Sequence, residues 1–296
     1  MSSSPPPLFD RALLRRRLAR AVAAGAEDFL LTRAMDDMLD RLAAIRRDFC
    51  AIADLGTPAP SFARRLAAHF PAASIARMAP LPERDVSPSI ATCVGDEEVL
   101  PFAVERFDLA TSLLALQHVN DLPGAFVQVR RILKPDGLFL GCLVGGRSLH
   151  ELRSAFTQAE TEIAGGVSPR VAPFADVRDA GQLLQRAGFA LPVADSDNVV
   201  VRYETMFGLV EDLRAMGATN ALAARLRRPM PRRLALRAAE IYAQRFADPD
   251  GRLRATFELV FISGWAPHES QQKPLAPGAA KMRLAEALGT IEQSAE

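Results

Sequence analysis

The sequence predicts an α/β fold: a mainly parallel sheet with helices on both faces, finished by an antiparallel hairpin. Three features lead there. Between residues 51 and 144, short apolar runs alternate with segments of helical period, as in βαβ units whose strands are covered on both sides. Two long strand-like runs, 193–203 and 255–265, lie near the end with helical pattern between them. Strands so placed pair as a hairpin carrying a helical insertion. The chain has 296 residues, 49% of them hydrophobic, which suits one large domain, or one with additions, around a sizeable core.

The elements follow in order. Residues 8–22, LFDRALLRRRLARAV, are arginine-rich and set Leu14, Leu18 and Val22 one helical turn apart. Such a helix could lie on a membrane surface or form an organelle transit segment. The alternative is a helix docked on the domain with its arginines in water, and the acids that follow, Glu27, Asp28, Asp36 and Asp37, favour docking. Residues 27–47 keep helical spacing through Phe29, Leu30, Met35, Met38, Leu39, Leu42 and Ile45. Ala51–Leu55 reads as a buried strand turning at Gly56, and Ser61–His69 as a helix with Ser61 as its N-cap. Residues 73–78 form a second strand, and PLPERDVSPS leads to a third, Ile90–Val94.

Phe107–Leu113 reads as a buried strand, and 122–133 as a helix introduced by Asn120 and Asp121. LKPDG closes that helix and runs into another apolar strand. Past Gly146, residues 149–164 and 177–187 read as helices, with Gly188 stopping the second. Residues 205–216 and 232–246 are helical within the hairpin. The boundaries that result are a helical region at 1–48, a main domain at 49–266 with an insertion at 205–250, and a tail at 267–296. The tail is proline- and polar-rich before a short helical stretch, where order is expected to fall off.

Composition excludes several classes. The formal net charge is +1, so nothing in the balance calls for nucleic acid. Cys50, Cys93 and Cys142 are scattered and odd in number, and His69, His118, His150 and His268 are equally dispersed. Neither a disulfide framework nor a metal site follows, and a reducing compartment does. No apolar run reaches the ~18 residues of a membrane span, and no secretory signal is visible. Cytoplasm is the default expectation, with a peripheral contact at the inner membrane left open by the first helix.

One segment narrows the function. VGDEEVLPFAVERFDLATSLLALQHVNDLPGAFVQVRRILKPDGLFLGCLVGG resembles the middle of class I S-adenosylmethionine-dependent methyltransferases, with a Rossmann-like, seven-stranded sheet. GGRSLHELRSAFTQAETE, GGVSPRVAPFADVRDAGQLLQRAGF, MFGLVEDLRAMGATNA and FISGWAPHESQ resemble more closely the complex I assembly factor family described as arginine hydroxylases. The malonyl-carrier-protein methyltransferases of biotin synthesis are more distant. The resemblance spans about Leu8 to Gln271, and implies adenosylmethionine as cofactor and a respiratory complex I subunit as partner.

It also implies a site. Such sheets bind ligand beyond the carboxyl ends of the strands, where chain order reverses. Asp54 and Gly56 stand where the family has its first acid and first glycine, Asp96 and Glu97 where an acid orients adenine, and Ser112 to Leu114 at the end of the fourth strand. Two later glycines of the pattern are Pro58 and Pro60, and the ribose acid expected in SIARM is replaced by Arg77. Proline fixes φ and lacks the N–H that a ligand carboxylate uses, so the cofactor loop reads as a remnant. Asp54 could also cap the following turn. His118 could serve as a general base or pack beside the pocket. His150 and Glu151 could cap a helix or meet substrate, and Arg147 and Arg153 could hold an anion or a partner. Met206, Phe207, Val210, Leu213 and Met216 fit a core face of a helix.

No two-histidine, one-carboxylate iron set is visible. Three readings remain: a protein modifying or chaperoning a complex I subunit, a degenerate methyltransferase acting as scaffold, and a small-molecule or carrier-protein O-methyltransferase.

Overall fold

The computed structural model describes residues 6–26, 29–83 and 87–272. Fifteen regular elements run in the order α1 (Arg11–Ala23), α2 (Phe29–Ala43), β1 (Ala51–Leu55), α3 (Ser61–His69), β2 (Ser74–Ala79), β3 (Ile90–Val94), β4 (Phe107–Leu113), α4 (Leu122–Ile132), β5 (Leu133–Val144), α5 (His150–Ala164), α6 (Val177–Arg186), β6 (Ala190–Tyr203), α7 (Met206–Ala215), α8 (Arg232–Phe246) and β7 (Leu253–Trp265). A single turn of 3-10 helix, Leu116–His118, joins β4 to α4. The expected tail helix, and Glu27 and Asp28, lie outside the described residues, as does part of the PLPERDVSPS connection.

The sheet has seven strands in the order β3-β2-β1-β4-β5-β7-β6. β1 to β5 run parallel to one another, and β7 inserts antiparallel between β5 and β6. Chain order therefore reverses between β1 and β4, where a ligand crevice belongs.

Alternation along the strands builds two cores. Ile52, Leu109, Leu140, Phe257 and Phe261 face α2, α3, α5, α7 and α8. Ala53, Leu55, Ala110, Phe139 and Val260 face α4 and α6. The first core carries on into Met38, Leu42, Phe62 and Leu66, and the second into Phe126, Leu184 and Phe189.

Helix signals hold where a side chain reaches its own turn. Asp121 caps α4 by accepting from the Gly124 amide at 2.8 Å, and Gly188, at φ +84°, ends α6. Three local expectations are corrected. Ser61 is not the cap of α3: that position is Pro60, and the Ser61 hydroxyl turns to the Met35 sulfur at 3.5 Å. His150 and Glu151 make no cap for α5, since Glu151 accepts instead from the amide and hydroxyl of Thr256 on β7. On α7, Met206, Leu209 and Leu213 are buried, whereas Phe207 is 42% exposed; the buried stripe is turned away from it.

The N-terminal helix docks. Its arrival is fixed by Phe9, whose amide donates to Asn120 Oδ1 at 2.8 Å, and by the Asp10 amide on the Ala221 carbonyl at 2.8 Å. At Gly217, φ is +71° and a Cβ would stand 2.9 Å from the Leu18 Cα. Only glycine lets the end of α7 approach the α1 backbone this closely. No helix among the described residues is long and apolar enough to cross a membrane.

Candidate functional site at the carboxyl ends of the strands

The parallel register sets Asp54 of β1 directly beside Arg77 of β2. Both side chains are fully buried. The Arg77 fork donates to Glu83 through Nε at 2.9 Å and Nη2 at 2.6 Å, to the Thr57 carbonyl at 2.7 Å, and through Nη1 to Asp54. The other Asp54 oxygen accepts from the Thr57 hydroxyl, which also accepts from the Leu113 amide at 3.2 Å. Burial pushes the Asp54 carboxyl up, while Arg77 and Thr57 pull it back. For Arg77 burial acts to lower the pKa, and Glu83 and Asp54 together more than reverse it. A guanidinium and two carboxylates, mutually bonded, thus fill the ground between β1 and β2.

The acids after β3 are occupied in the same way, from a different element. Arg11 of α1 donates to Asp96 at 2.8 Å and to Glu97, and Arg15 donates to Asp96 at 2.7 Å. Arg11 also reaches the His118 carbonyl at 3.2 Å. α1 is thereby strapped across the crevice. Beneath it remains a cavity of about 190 Å3, walled by Leu14, Leu18, Pro58, Leu114, Phe174 and Phe257, with Gly56, Glu97 and His118 on its border.

The residues expected at the site divide between this cavity and the framework around it. Gly56 and Glu97 border the cavity. A Cβ on Gly56 would lie 2.5 Å from Glu97 Oε1, and its φ of +71° suits glycine. Asp54 and Asp96 are not among the residues lining the cavity: the first is held in the arginine network and the second in the clamp. Ser112 and Leu113 are buried in the sheet: the serine hydroxyl donates to the Leu55 carbonyl at 2.8 Å, and Leu113 packs in the first core. Their neighbour Leu114, at φ +50°, borders the cavity instead.

Arg153 donates to the carbonyls of Ser148 and Ala172, and the Arg147 amide to Glu258, so this turn is held by β7. Among the described residues no cluster of three His, Cys, Asp or Glu side chains could hold a metal. Sequence reasoning missed Thr57 and Glu83, and missed that Arg11 and Arg15 are the partners of Asp96. A signal existed for Glu83 alone: a buried arginine at the ribose position requires a carboxylate, and Glu83 is six residues on.

His118 packs edge-on against Phe9 and Phe174. Burial, then the charge of Arg11, brings its pKa from the usual 6.5 down to about 4. The folded state therefore holds the ring neutral while the unfolded chain takes up a proton. Stability is full above pH 6.5 and falls as pH drops towards 4. The half-buried ring makes this loss about 2 kcal/mol, less than the full shift implies. His118→Gln should flatten that part of a denaturant-midpoint profile between pH 7 and 4; an unchanged slope would place the proton uptake elsewhere.

A methyltransferase-domain model matches residues 56–141, the stretch from the cofactor turn through β5. The human mitochondrial arginine-hydroxylase NDUFAF5 is 39% identical over 98% of this chain and 86% of its own length. The chain belongs to the NDUFAF5 family of class I methyltransferases. The zebrafish member of that family is 36% identical over 94% of this chain and 89% of its own. A malonyl-[acyl-carrier protein] O-methyltransferase of Gallionella capsiferriformans is 32% identical over 88% and 92%. The fold is shared with the [4+2]-cyclase SpnF, at TM-score 0.54 and 18% identity over 90% of this chain and 99% of that one. The YcgJ protein from Bacillus subtilis has TM-score 0.53 and 14% identity over 80% and 99%.

Adenosylmethionine is the cofactor of the superfamily, and the polar groups around this crevice are paired with one another. A ribose needs a free acceptor after β2, where Pro80 offers none and Glu83 is held by the buried Arg77. An adenine amino group needs a free acid after β3 and finds Asp96 and Glu97 held by α1. The remaining 190 Å3 is below the ~300–1,000 Å3 of sites that enclose molecules of that size.

Proposed function

We propose that this chain acts as a methyltransferase-fold partner protein in the assembly of respiratory complex I, chaperoning a subunit without bound adenosylmethionine. The observation that carries this reading is the buried Asp54–Arg77–Glu83 network, whose charges already satisfy one another between β1 and β2. Identity to human NDUFAF5 over nearly the whole chain supports the assembly setting. Calorimetric titration with S-adenosylmethionine and S-adenosylhomocysteine is expected to give no heat of binding up to about 1 mM, a bound of roughly −4 kcal/mol. Micromolar binding would overturn the reading.

A second reading has one observation in its favour. The α1 strap rests on Arg11 and Arg15, and Arg15 is 39% exposed and Asp96 32%, so the strap could open. The protein would then bind adenosylmethionine in an open state and methylate a complex I subunit, or a carrier-bound or small molecule. Methyl transfer needs chiefly alignment, because the sulfonium is already activated. Binding that emerges only in an Arg11→Ala/Arg15→Ala variant would favour this reading.

The protein is read as cytoplasmic and peripheral to the inner membrane. Leu226 and Met230, exposed among Arg227, Arg228, Arg232 and Arg233, support contact with an anionic lipid surface. Sedimentation with phosphatidylserine vesicles should fall as salt is raised, and an equal yield with neutral vesicles would count against it.

A further inference from the structure

A second cavity, of about 670 Å3, lies between α1, α7 and the segment 170–174. This volume falls within the ~300–1,000 Å3 range of natural small-molecule sites. Phe9, Leu152, Phe156, Val171 and Val210 make apolar walls, and Arg17, Arg20, Arg170 and Arg214 stand around them. No aspartate or glutamate is among the residues lining it.

Arg33, Arg41, Arg47, Arg65, Arg202 and Arg237 each pair with a carboxylate, whereas Arg153 is held by backbone carbonyls. Around the cavity, Arg170 has Glu160 at 2.6 Å, while Arg17, Arg20 and Arg214 have no carboxylate within 4 Å among the described residues. Arg17 donates to the Asn220 carbonyl. Burial, followed by the charges of Arg225 and Arg20, lowers its pKa. Arg17 and Arg20 repel one another beside this apolar wall, and an oxyanion bound in their forks removes that repulsion.

We infer that this cavity binds an amphipathic anion, an apolar body ended by a carboxylate or a phosphate, with the charged head on Arg17, Arg20 and Arg214. The apolar body lies along Phe156, Val171 and Val210. His118, Leu149, Phe174 and Leu213 wall both this cavity and the one under α1, so the ligand sits beside the family's cofactor crevice. The inference holds whether or not that crevice takes a cofactor.

Calorimetry and thermal melting of the full chain test it, with dodecanoate, dodecyl phosphate, dodecanol and inorganic phosphate, all below micelle formation. One-to-one binding of dodecanoate, of dodecyl phosphate or of both is expected, and the tighter one names the head group. Dodecanol should bind about tenfold to a hundredfold more weakly, as should the anions to Arg17→Gln/Arg20→Gln or to Arg214→Gln. Arg186→Gln, on the exposed face of α6, should bind as the unaltered protein does. If the double variant fails to fold, Arg214→Gln carries the comparison, and the contrast between dodecanoate and dodecanol needs no variant. The inference is overturned if dodecanol equals the anions, if neither anion binds, if the arginine variants bind unchanged, or if uptake far exceeds one per chain and unfolds the protein.

Discussion

Replacing Arg77 with alanine is expected to lower stability by about 3–5 kcal/mol, the usual cost of removing one partner from a buried ion pair. The loss comes less from the missing attraction than from what stays behind. Asp54, fully buried, and Glu83, nearly so, would keep their carboxylates with no cation between them. For a chain of this length the melting temperature should drop by roughly 10 °C. Arg77→Asp, which supplies the acid that the family resemblance leads one to expect in SIARM, should be worse than alanine. It sets a third carboxylate beside Asp54 in the β1–β2 register and so should not yield a folded protein. Glycines at 58 and 60 cannot rescue it, because the charge conflict lies beneath the loop. Arg77→Met combined with Asp54→Asn and Glu83→Gln should recover most of the stability, since neutral groups of similar shape replace buried ion pairs at little net cost. Urea midpoints decide the matter: a loss below about 1 kcal/mol for the alanine variant would mean that the network is hydrated rather than buried.

The second large effect is expected where α1 meets the acids after β3. Arg11→Ala with Arg15→Ala removes the two cations that hold this helix over the crevice, leaving Glu97 buried and unpaired. A cost of about 3 kcal/mol follows, at the low end for a broken buried pair because Asp96 is partly in water. It should fall on α1 alone. Amide exchange there should quicken by about a hundredfold, while β1 and β4 keep their protection. Unchanged exchange in α1 would show that Leu14, Leu18 and the close contact at Gly217 hold the helix unaided. This experiment also separates the two functional readings, since it opens the crevice without touching Asp54 or Arg77.

Most elements are legible in the amino-acid sequence. β1, α3, β3, β4 and α8 begin and end at the expected residues, and Asp121 and Gly188 bound α4 and α6 as their chemistry suggests. Such signals are short-ranged: side-chain alternation, helical period and caps act within one turn or one strand. Local signals mislead where a competing partner arrives from far along the chain. Ser61 meets Met35 instead of its own helix, and Glu151 meets Thr256, 105 residues distant.

The site divides along the same line. The family resemblance points to Gly56, Asp96 and Glu97 as residues of a methyltransferase crevice, and to Pro58, Pro60 and Arg77 as departures from the family pattern. What those departures do is settled by folding. Strand order brings Asp54 against Arg77, and the docking of α1 brings Arg11 to acids 85 and 86 residues away. Whether a buried charge is a ligand group or a structural one depends on which opposite charge the fold sets beside it, and that pairing is a property of distance in space rather than along the chain.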